Sequence, residues 1–187
     1  MGSLIATPVL GTDPIEIGAN RITPRPDLAM VSVATPRGSE TELAAALKSG
    51  FGLDVPDATG STQSDDMFAL RMTPDQILLV FSATDLSAEG FVKSKLGGAG
   101  YTTDQSDALM VLDLDGPLTR AALERLCPVD LHDNAFPVGA NARTIMEHMG
   151  ATIHRVSETE FRLIAAGSSA RSFLHAVETS FHLLPEA

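Results

Sequence analysis

The fold is decided by the strand sequence Met110-Val111-Leu112-Asp113-Leu114, which precedes Gly116-Pro117 and the helically spaced residues Ala121, Ala122, Leu123 and Leu126. A similar order occurs earlier in the chain. There Met30-Val31-Ser32-Val33 precedes Ser39 and Glu42, whose spacing is that of a capping box at the start of an amphipathic helix. A strand followed by a helix, found twice, indicates a duplicated unit.

The later parts of the two units also match. Arg71-Met72-Thr73-Pro74-Asp75-Gln76-Ile77 aligns with Arg155-Val156-Ser157-Glu158-Thr159-Glu160-Phe161, and each run leads through an apolar strand to a helix. The sequence therefore predicts an α+β fold made of two βαββα, ferredoxin-like halves with largely antiparallel sheets. We expect the halves to span residues 28–104 and 105–187, with Met30 equivalent to Met110.

The first 27 residues contain four prolines, Pro8, Pro14, Pro24 and Pro26, and show no sustained period. Proline fixes φ and removes a backbone donor, so we expect residues 1–27 to form an extended arm across a surface rather than to enter a sheet. A disordered tail is the alternative.

The charge of the chain restricts its partners. Its 13 basic and 24 acidic residues give a net charge of -11, and no basic stripe is present, so nucleic acid is not an expected partner. No apolar run approaches the roughly 20 residues of a membrane helix, so we expect no membrane association. One cysteine and the lack of a secretory signal pattern predict a cytoplasmic location.

Candidate catalytic groups have ordinary structural explanations. The five histidines lack metal-ligand spacing, and Cys127 lies at a helix end before Pro128 without a recognisable nucleophile signature. The glycines at 97, 98 and 100 follow a helix, whereas a dinucleotide fingerprint precedes one. We therefore assign no catalytic, cofactor-binding or metal-binding residue to this chain.

The segment Cys127-Pro128-Val129-Asp130-Leu131-His132-Asp133-Asn134-Ala135-Phe136-Pro137-Val138-Gly139 has two prolines, apolar residues and no clear period. Such a segment is expected to be a fixed, partly buried connection. Its residues proposed for contact with a partner are Cys127, Pro128, Asp130, His132, Phe136 and Pro137. A purely internal connection that stabilises the second half is the alternative.

Together with Gly116-Pro117, Ala142-Arg143-Thr144 and the run through Leu123 and Leu126, this segment resembles the gamma subunit of heterotetrameric sarcosine oxidase. The resemblance extends from about Met67 to the last helix. It implies a fold similar to the folate-binding domains of the glycine-cleavage T protein, an aminomethyltransferase, and that fold would explain two repeated halves.

The resemblance also implies alpha, beta and delta partner subunits in an enzyme that oxidatively demethylates sarcosine or another N-methyl amino acid. The flavins FAD and FMN, NAD, tetrahydrofolate and zinc would belong to those partners. This chain would then be an accessory subunit without flavin chemistry of its own.

Two other functions are compatible with the sequence. One is a free-standing folate-binding or methyl-transferring domain of the T-protein type, in which Asp113, Asp115 or Glu147 would hold the pterin. The other is a regulatory amino-acid-binding domain built from ferredoxin-like halves.

Overall fold

The structure is a computed structural model that describes residues 7–65, 67–83 and 87–185. Its elements in chain order are β1 (Ile15–Ile17), β2 (Asn20–Pro24), β3 (Leu28–Ala34), α1 (Glu40–Phe51), β4 (Ser61–Ser64), β5 (Met67–Thr73), β6 (Gln76–Ser82), α2 (Ala88–Leu96), β7 (Tyr101–Asp104), β8 (Leu109–Asp115), α3 (Thr119–Glu124), β9 (Asn141–Met146), β10 (Met149–Arg155), β11 (Phe161–Ala166) and α4 (Ala170–His182). The predicted start of α2 at Leu86, and residues 1–6 and 186–187 of the predicted arm and second half, lie outside the described residues.

Two antiparallel sheets form the centre of the molecule. One has the strand order β4-β5-β6-β3-β7, and the other has the order β1-β2-β8-β11-β10-β9. The helices α1 and α2 pack on the outer face of the first sheet, and α3 and α4 pack on the outer face of the second. The inner faces meet in a layer whose buried apolar residues are Leu28, Met30, Leu70, Leu78, Val80, Val111 and Ile164.

The two halves have the same internal order, β-α-β-β-β-α, with three consecutive strands between the helices where two were predicted. The register of their central strands is also the same. Ser32 of β3 lies opposite Leu78 of β6, and Asp113 of β8 lies opposite Arg162 of β11 at the equivalent position. The duplication inferred from the sequence is therefore present in the structure, with one more strand in each half.

The predicted match of Met30 with Met110 is wrong by one residue. Met30 lies in the layer between the sheets, whereas Met110 packs towards the helices of the second half. The residue equivalent to Met30 is Val111, which shares its inner position and the corresponding cross-strand partner, Ile164 against Val80. A shift of one residue reverses the face of every side chain in a strand, so the distinction matters.

The first sheet is built from strands of the first half alone, whereas the second sheet includes strands from outside the predicted boundaries of its half. In the first sheet β7 lies beside β3, and in the second sheet β2 occupies the same place beside β8. Because β2 precedes the first half along the chain, the second sheet is completed by residues from the N-terminal region. The prediction of an extended arm is therefore wrong for residues 15–24, which form two strands.

The prolines of this region do not prevent its entry into the sheet. Arg25 N donates to Val111 O at 3.0 Å, and this places the missing N–H of Pro24 on the other side of the strand. On that side, β2 is paired with β1 only as far along β2 as Ile22. Proline is tolerated where no neighbouring strand requires its donor, and Ile22 is fully buried in the core.

The two halves are joined directly near the centre of the molecule. Gly60 and Ala140 form an antiparallel bridge, Ser61 N donates to Gly139 O, and Asn141 N donates to Thr59 O, both at 2.9 Å. Because these are equivalent residues of the two halves, the bridge marks an approximate twofold axis.

Candidate functional site: a buried polar cluster and the loop of residues 127–139

A buried group of charges lies between the sheets. The guanidinium of Arg162 donates to both carboxylate oxygens of Asp113, with Nε to Oδ1 at 2.7 Å and a second bond at 2.8 Å. Arg25 also donates to Asp113, at 2.6 Å, and makes two bonds to Asp27. The register of β8 and β11 produces this arrangement by placing Asp113 directly opposite Arg162.

The neighbouring charges stabilise the ionised forms. The hydrogen bond from Arg25 lowers the pKa of Asp27 most strongly, although partial burial opposes it. Asp27 and Asp113 in turn raise the pKa of Arg25, with the hydrogen bond to Asp27 the largest cause. Both oxygens of Asp113 are already engaged by guanidinium groups, so this carboxylate is not free to hold a pterin, a role for which the folate-binding alternative also named Asp115 and Glu147.

His154 lies beside these charges and is only 1% exposed. Its Nε2 is 2.9 Å from Ser61 Oγ, and Ser61 donates its hydroxyl proton to Gly139 O at 2.8 Å. Nε2 is therefore the protonated nitrogen, and Nδ1 has no hydrogen-bond partner among the described residues. Burial, followed by the charge of Arg162, lowers the pKa of His154 to about 4.

Aromatic contacts enclose this polar group. The ring of Phe68 meets the His154 ring edge to face at 5.2 Å, and the guanidinium of Arg162 lies 5.1 Å from the centre of the same Phe68 ring. His154 is thus a neutral imidazole held inside the interface of the two sheets. In this position it connects the halves and does not reach solvent.

The six residues proposed for partner contact divide into two groups. Cys127 and Phe136 are buried in the core of the second half, together with Leu131. Pro128, Asp130, His132 and Pro137 are exposed. The apolar side chains of the loop therefore attach it to its own domain, and the exposed four are the ones available to a partner.

Arg155 of β10 holds the loop of residues 127–139 in place. Its guanidinium donates to Phe136 O at 2.8 Å and to the carbonyls of Ser157 and Glu158, and it forms an ion pair with Asp133 at 2.7 Å. Because its side chain is almost fully buried, its bonds to the carbonyls are shielded from water, whereas the carboxylate of Asp133 is largely exposed. Two groups of the loop, the carbonyl of Phe136 and the carboxylate of Asp133, thus converge on one buried cation, which holds the loop in place.

Cys127 has a structural role in this setting. Its Sγ donates to Leu123 O at 3.4 Å, and burial raises the pKa of the thiol. A raised pKa keeps the sulfur in its less nucleophilic protonated form.

Sequence reasoning missed Arg25, Ser61, His154 and Arg162 as members of one group. The signal available in the sequence was that apolar strands carry charged or polar residues at alternate positions, and that the strands paired with them carry such residues too. The sequence indicated Asp113 only as a candidate acid for holding a pterin.

Within the described ranges, no three His, Cys, Asp or Glu side chains are grouped in a way that could hold a metal ion. None of the helices found there has both the length and the apolar character needed to cross a membrane.

The paired α+β halves with their shared inner layer define an aminomethyltransferase-like fold. The chain aligns with the glycine cleavage system aminomethyltransferase T from Bartonella henselae with a TM-score of 0.57 and 14% identity, covering 83% of this chain and 44% of the other. It aligns with a chain of heterotetrameric sarcosine oxidase from Corynebacterium sp. U-96 with a TM-score of 0.79 and 22% identity, covering 90% and 87% of the two chains. These likenesses establish the fold.

The chain belongs to the Sarcosine oxidase, gamma subunit family, whose model matches residues 37–180. It is 26% identical over 133 residues to the sarcosine oxidase subunit gamma of Corynebacterium sp. (strain U-96), covering 70% of this chain and 65% of the relative. It is 29% identical over 122 residues to that of an Arthrobacter species, covering 65% and 59%. The matched region thus spans somewhat less than two thirds of the length of these relatives.

Proposed function

We propose that this chain is the gamma subunit of a heterotetrameric sarcosine oxidase-type complex. The observation that carries the proposal is the family match over residues 37–180. The likeness of the fold to a chain of heterotetrameric sarcosine oxidase over 90% of this chain supports it. The complex oxidatively demethylates sarcosine or another N-methyl amino acid, and it acts in the cytoplasm.

The role of this chain in the complex is accessory. Alpha, beta and delta subunits are its partners, and FAD, FMN, NAD, tetrahydrofolate and zinc belong to them. Three features of the chain favour this division: the carboxylate of Asp113 is occupied by two guanidinium groups, His154 is enclosed between the sheets, and the thiol of Cys127 is buried. These three side chains are thus engaged in holding the fold.

The loop of residues 127–139 is one surface that contacts the large subunit. Pro128, Asp130, His132 and Pro137 are exposed on a backbone that Arg155 holds in place. A rigid loop loses little conformational entropy when it docks, which suits a permanent assembly. Cys127 and Phe136 act through the loop's attachment to the core.

The proposal is tested by purifying the full chain, tagged at its C-terminus, from its native host under mild conditions. Three further chains identified by mass spectrometry, a flavin absorbance spectrum, and oxidase activity with sarcosine or another N-methyl amino acid are the expected results. A chain that purifies alone and without colour contradicts the proposal. If that isolated chain also shows a thermal shift with tetrahydrofolate, the free-standing folate-binding alternative replaces it.

A further inference from the structure

The outer edge of β9 has backbone groups available to another strand. Arg155 N donates to Ala140 O, and Asn141 N donates outward to Thr59 O. In an antiparallel ladder, residues that bond to the partner strand alternate with residues whose N–H and C=O groups point away from it. The N–H and C=O groups of Arg143 and Ile145 therefore also point outward. No backbone partner for either residue is found among the described residues.

This edge already accepts a strand at one end. The segment from Thr59 to Ser61 pairs with the chain around Ala140, and β4 then turns away. The remaining part of β9 continues the same edge without a neighbour. Its geometry is therefore suited to extending the sheet by one strand.

The side chains at these positions face a groove of about 630 Å³ on the inner face of the second sheet. The groove is lined by apolar side chains, including Met72, Leu109 and Ile164, and Ile145 at its edge is 61% exposed. Its one charged lining residue is Arg143, which forms no ion pair within the described part of the chain. A groove whose one charged lining side chain is a cation is complementary to a carboxylate.

The equivalent edge in the first half differs in chemistry. By the registers of the two halves, Gln63 of β4 corresponds to Arg143, and Asp65 corresponds to Ile145. The acidic Asp65 discourages strand addition at the edge of β4, whereas the exposed Ile145 favours it at the edge of β9, and the charge of Arg143 restricts the added strand to one that supplies a carboxylate. The edge of β4 thus provides an internal comparison for that of β9.

We propose that β9 accepts an extended segment of a partner subunit, which adds as a strand beside residues 142–146. The segment carries apolar side chains that enter the groove and a carboxylate that pairs with Arg143. This inference rests on the proposed function for the existence of the partner, and it specifies where and by which chemistry that partner binds. It is a second contact surface, separate from the exposed residues of the 127–139 loop.

The first test compares Ile145→Pro with wild type in the complex purified from the host. Proline removes the outward N–H of residue 145, while the ladder with β10 uses the neighbouring positions 144 and 146. The isolated variant must melt at the wild-type temperature. The amount of partner subunit recovered with it is expected to fall on the order of tenfold or more, because a strand hydrogen bond and its groove contacts are lost together. Gln63→Pro, at an outward position on the edge of β4 that corresponds to Arg143, is the control and retains full recovery.

The second test needs no destabilising variant. In the wild-type complex, amide hydrogen exchange of a peptide covering residues 142–146 is expected to be on the order of tenfold or more slower than in the isolated chain, since each edge amide gains a hydrogen bond. A photo-crosslinking amino acid at position 145 should join a segment of a co-purifying subunit that contains an acidic residue among apolar ones. Arg143→Gln, which copies the first half, should weaken recovery without changing the fold.

The outcomes separate this inference from the proposed function. If wild type brings its partner chains and Ile145→Pro does so equally, with unprotected 142–146 amides, strand addition is overturned and the subunit assignment stands. A crosslink from position 145 to a second copy of this chain also overturns it. If wild type brings no partner chains, both the proposed function and this inference fail.

Discussion

Arg71 and Arg155 occupy the same position in the two halves and hold the same two structures together. Arg71 donates to Pro56 O, in the loop after α1, and to Pro74 O, in the turn between β5 and β6. Arg155 donates to Phe136 O, in the loop after α3, and to carbonyls in the turn between β10 and β11. The match of these arginines in the sequence therefore reflects a repeated structural function.

Replacing Arg155 with methionine should lower the free energy of unfolding by about 2–4 kcal/mol, because several shielded carbonyls and Asp133 lose a charged donor. Urea denaturation measures this. The exposed pair of Arg21 with Glu16 supplies the control, since Arg21→Met should change stability by less than about 0.5 kcal/mol. If the two substitutions lowered stability equally, Arg155 would not hold the loop and the turn together as described.

The ion pair of Asp113 and Arg162 should show strong coupling. Asp113→Ser leaves the buried Arg162 unpaired and is expected to cost about 3–5 kcal/mol. Adding Arg162→Leu to it recreates the Ser32 and Leu78 pair that occupies this place in the first half, and should recover a large part of the loss. A double-mutant cycle by urea denaturation tests this, and additive effects of the two substitutions would refute it.

His154 should make stability depend on pH. Its pKa is lowered to about 4 in the folded state, whereas an unfolded histidine titrates near 6.5, so the unfolded chain binds the proton first as the pH falls. Stability is then complete above pH 6.5 and declines towards pH 4, by up to about 3 kcal/mol from this residue. His154→Leu, which copies Leu70 of the first half, should flatten the profile between pH 7 and 5. An unchanged profile in His154→Leu would contradict this prediction.

The fold was predictable where local pattern and repetition agreed. The hairpin of β5 and β6, the strand β8 and the helix α4 follow from period and turn residues, and the arginine match located the equivalent parts of the two halves. Which residues of β3 and β8 occupy equivalent positions was not predictable, since two methionines aligned one residue out of register. The strands β2 and β7 were missed because their sheet partners lie far away along the chain, which no local period records.

The N-terminal strand should be essential for stability. Ile22 is fully buried against the core of the second half, so Ile22→Ala is expected to cost about 2–4 kcal/mol. Glu16→Ala, on the exposed side of β1, should have little effect. A wild-type melting temperature for Ile22→Ala would instead mean that this region crosses the surface as a dispensable arm.

Substitutions in the loop of residues 127–139 should affect either stability or assembly, depending on whether the side chain is buried or exposed. Phe136 is 5% exposed in the core, so Phe136→Ala should lower the free energy of unfolding of the isolated chain by about 3–5 kcal/mol. His132 is exposed, and its Nδ1 accepts a bond from the backbone N–H of Asn134 in the same loop. His132→Ala should therefore leave the melting temperature nearly unchanged while reducing recovery of the partner subunits. If His132→Ala assembles as well as wild type, and the exposed Pro128, Asp130 and Pro137 do so too when replaced by alanine, the loop is an internal connection and the partner contacts lie elsewhere.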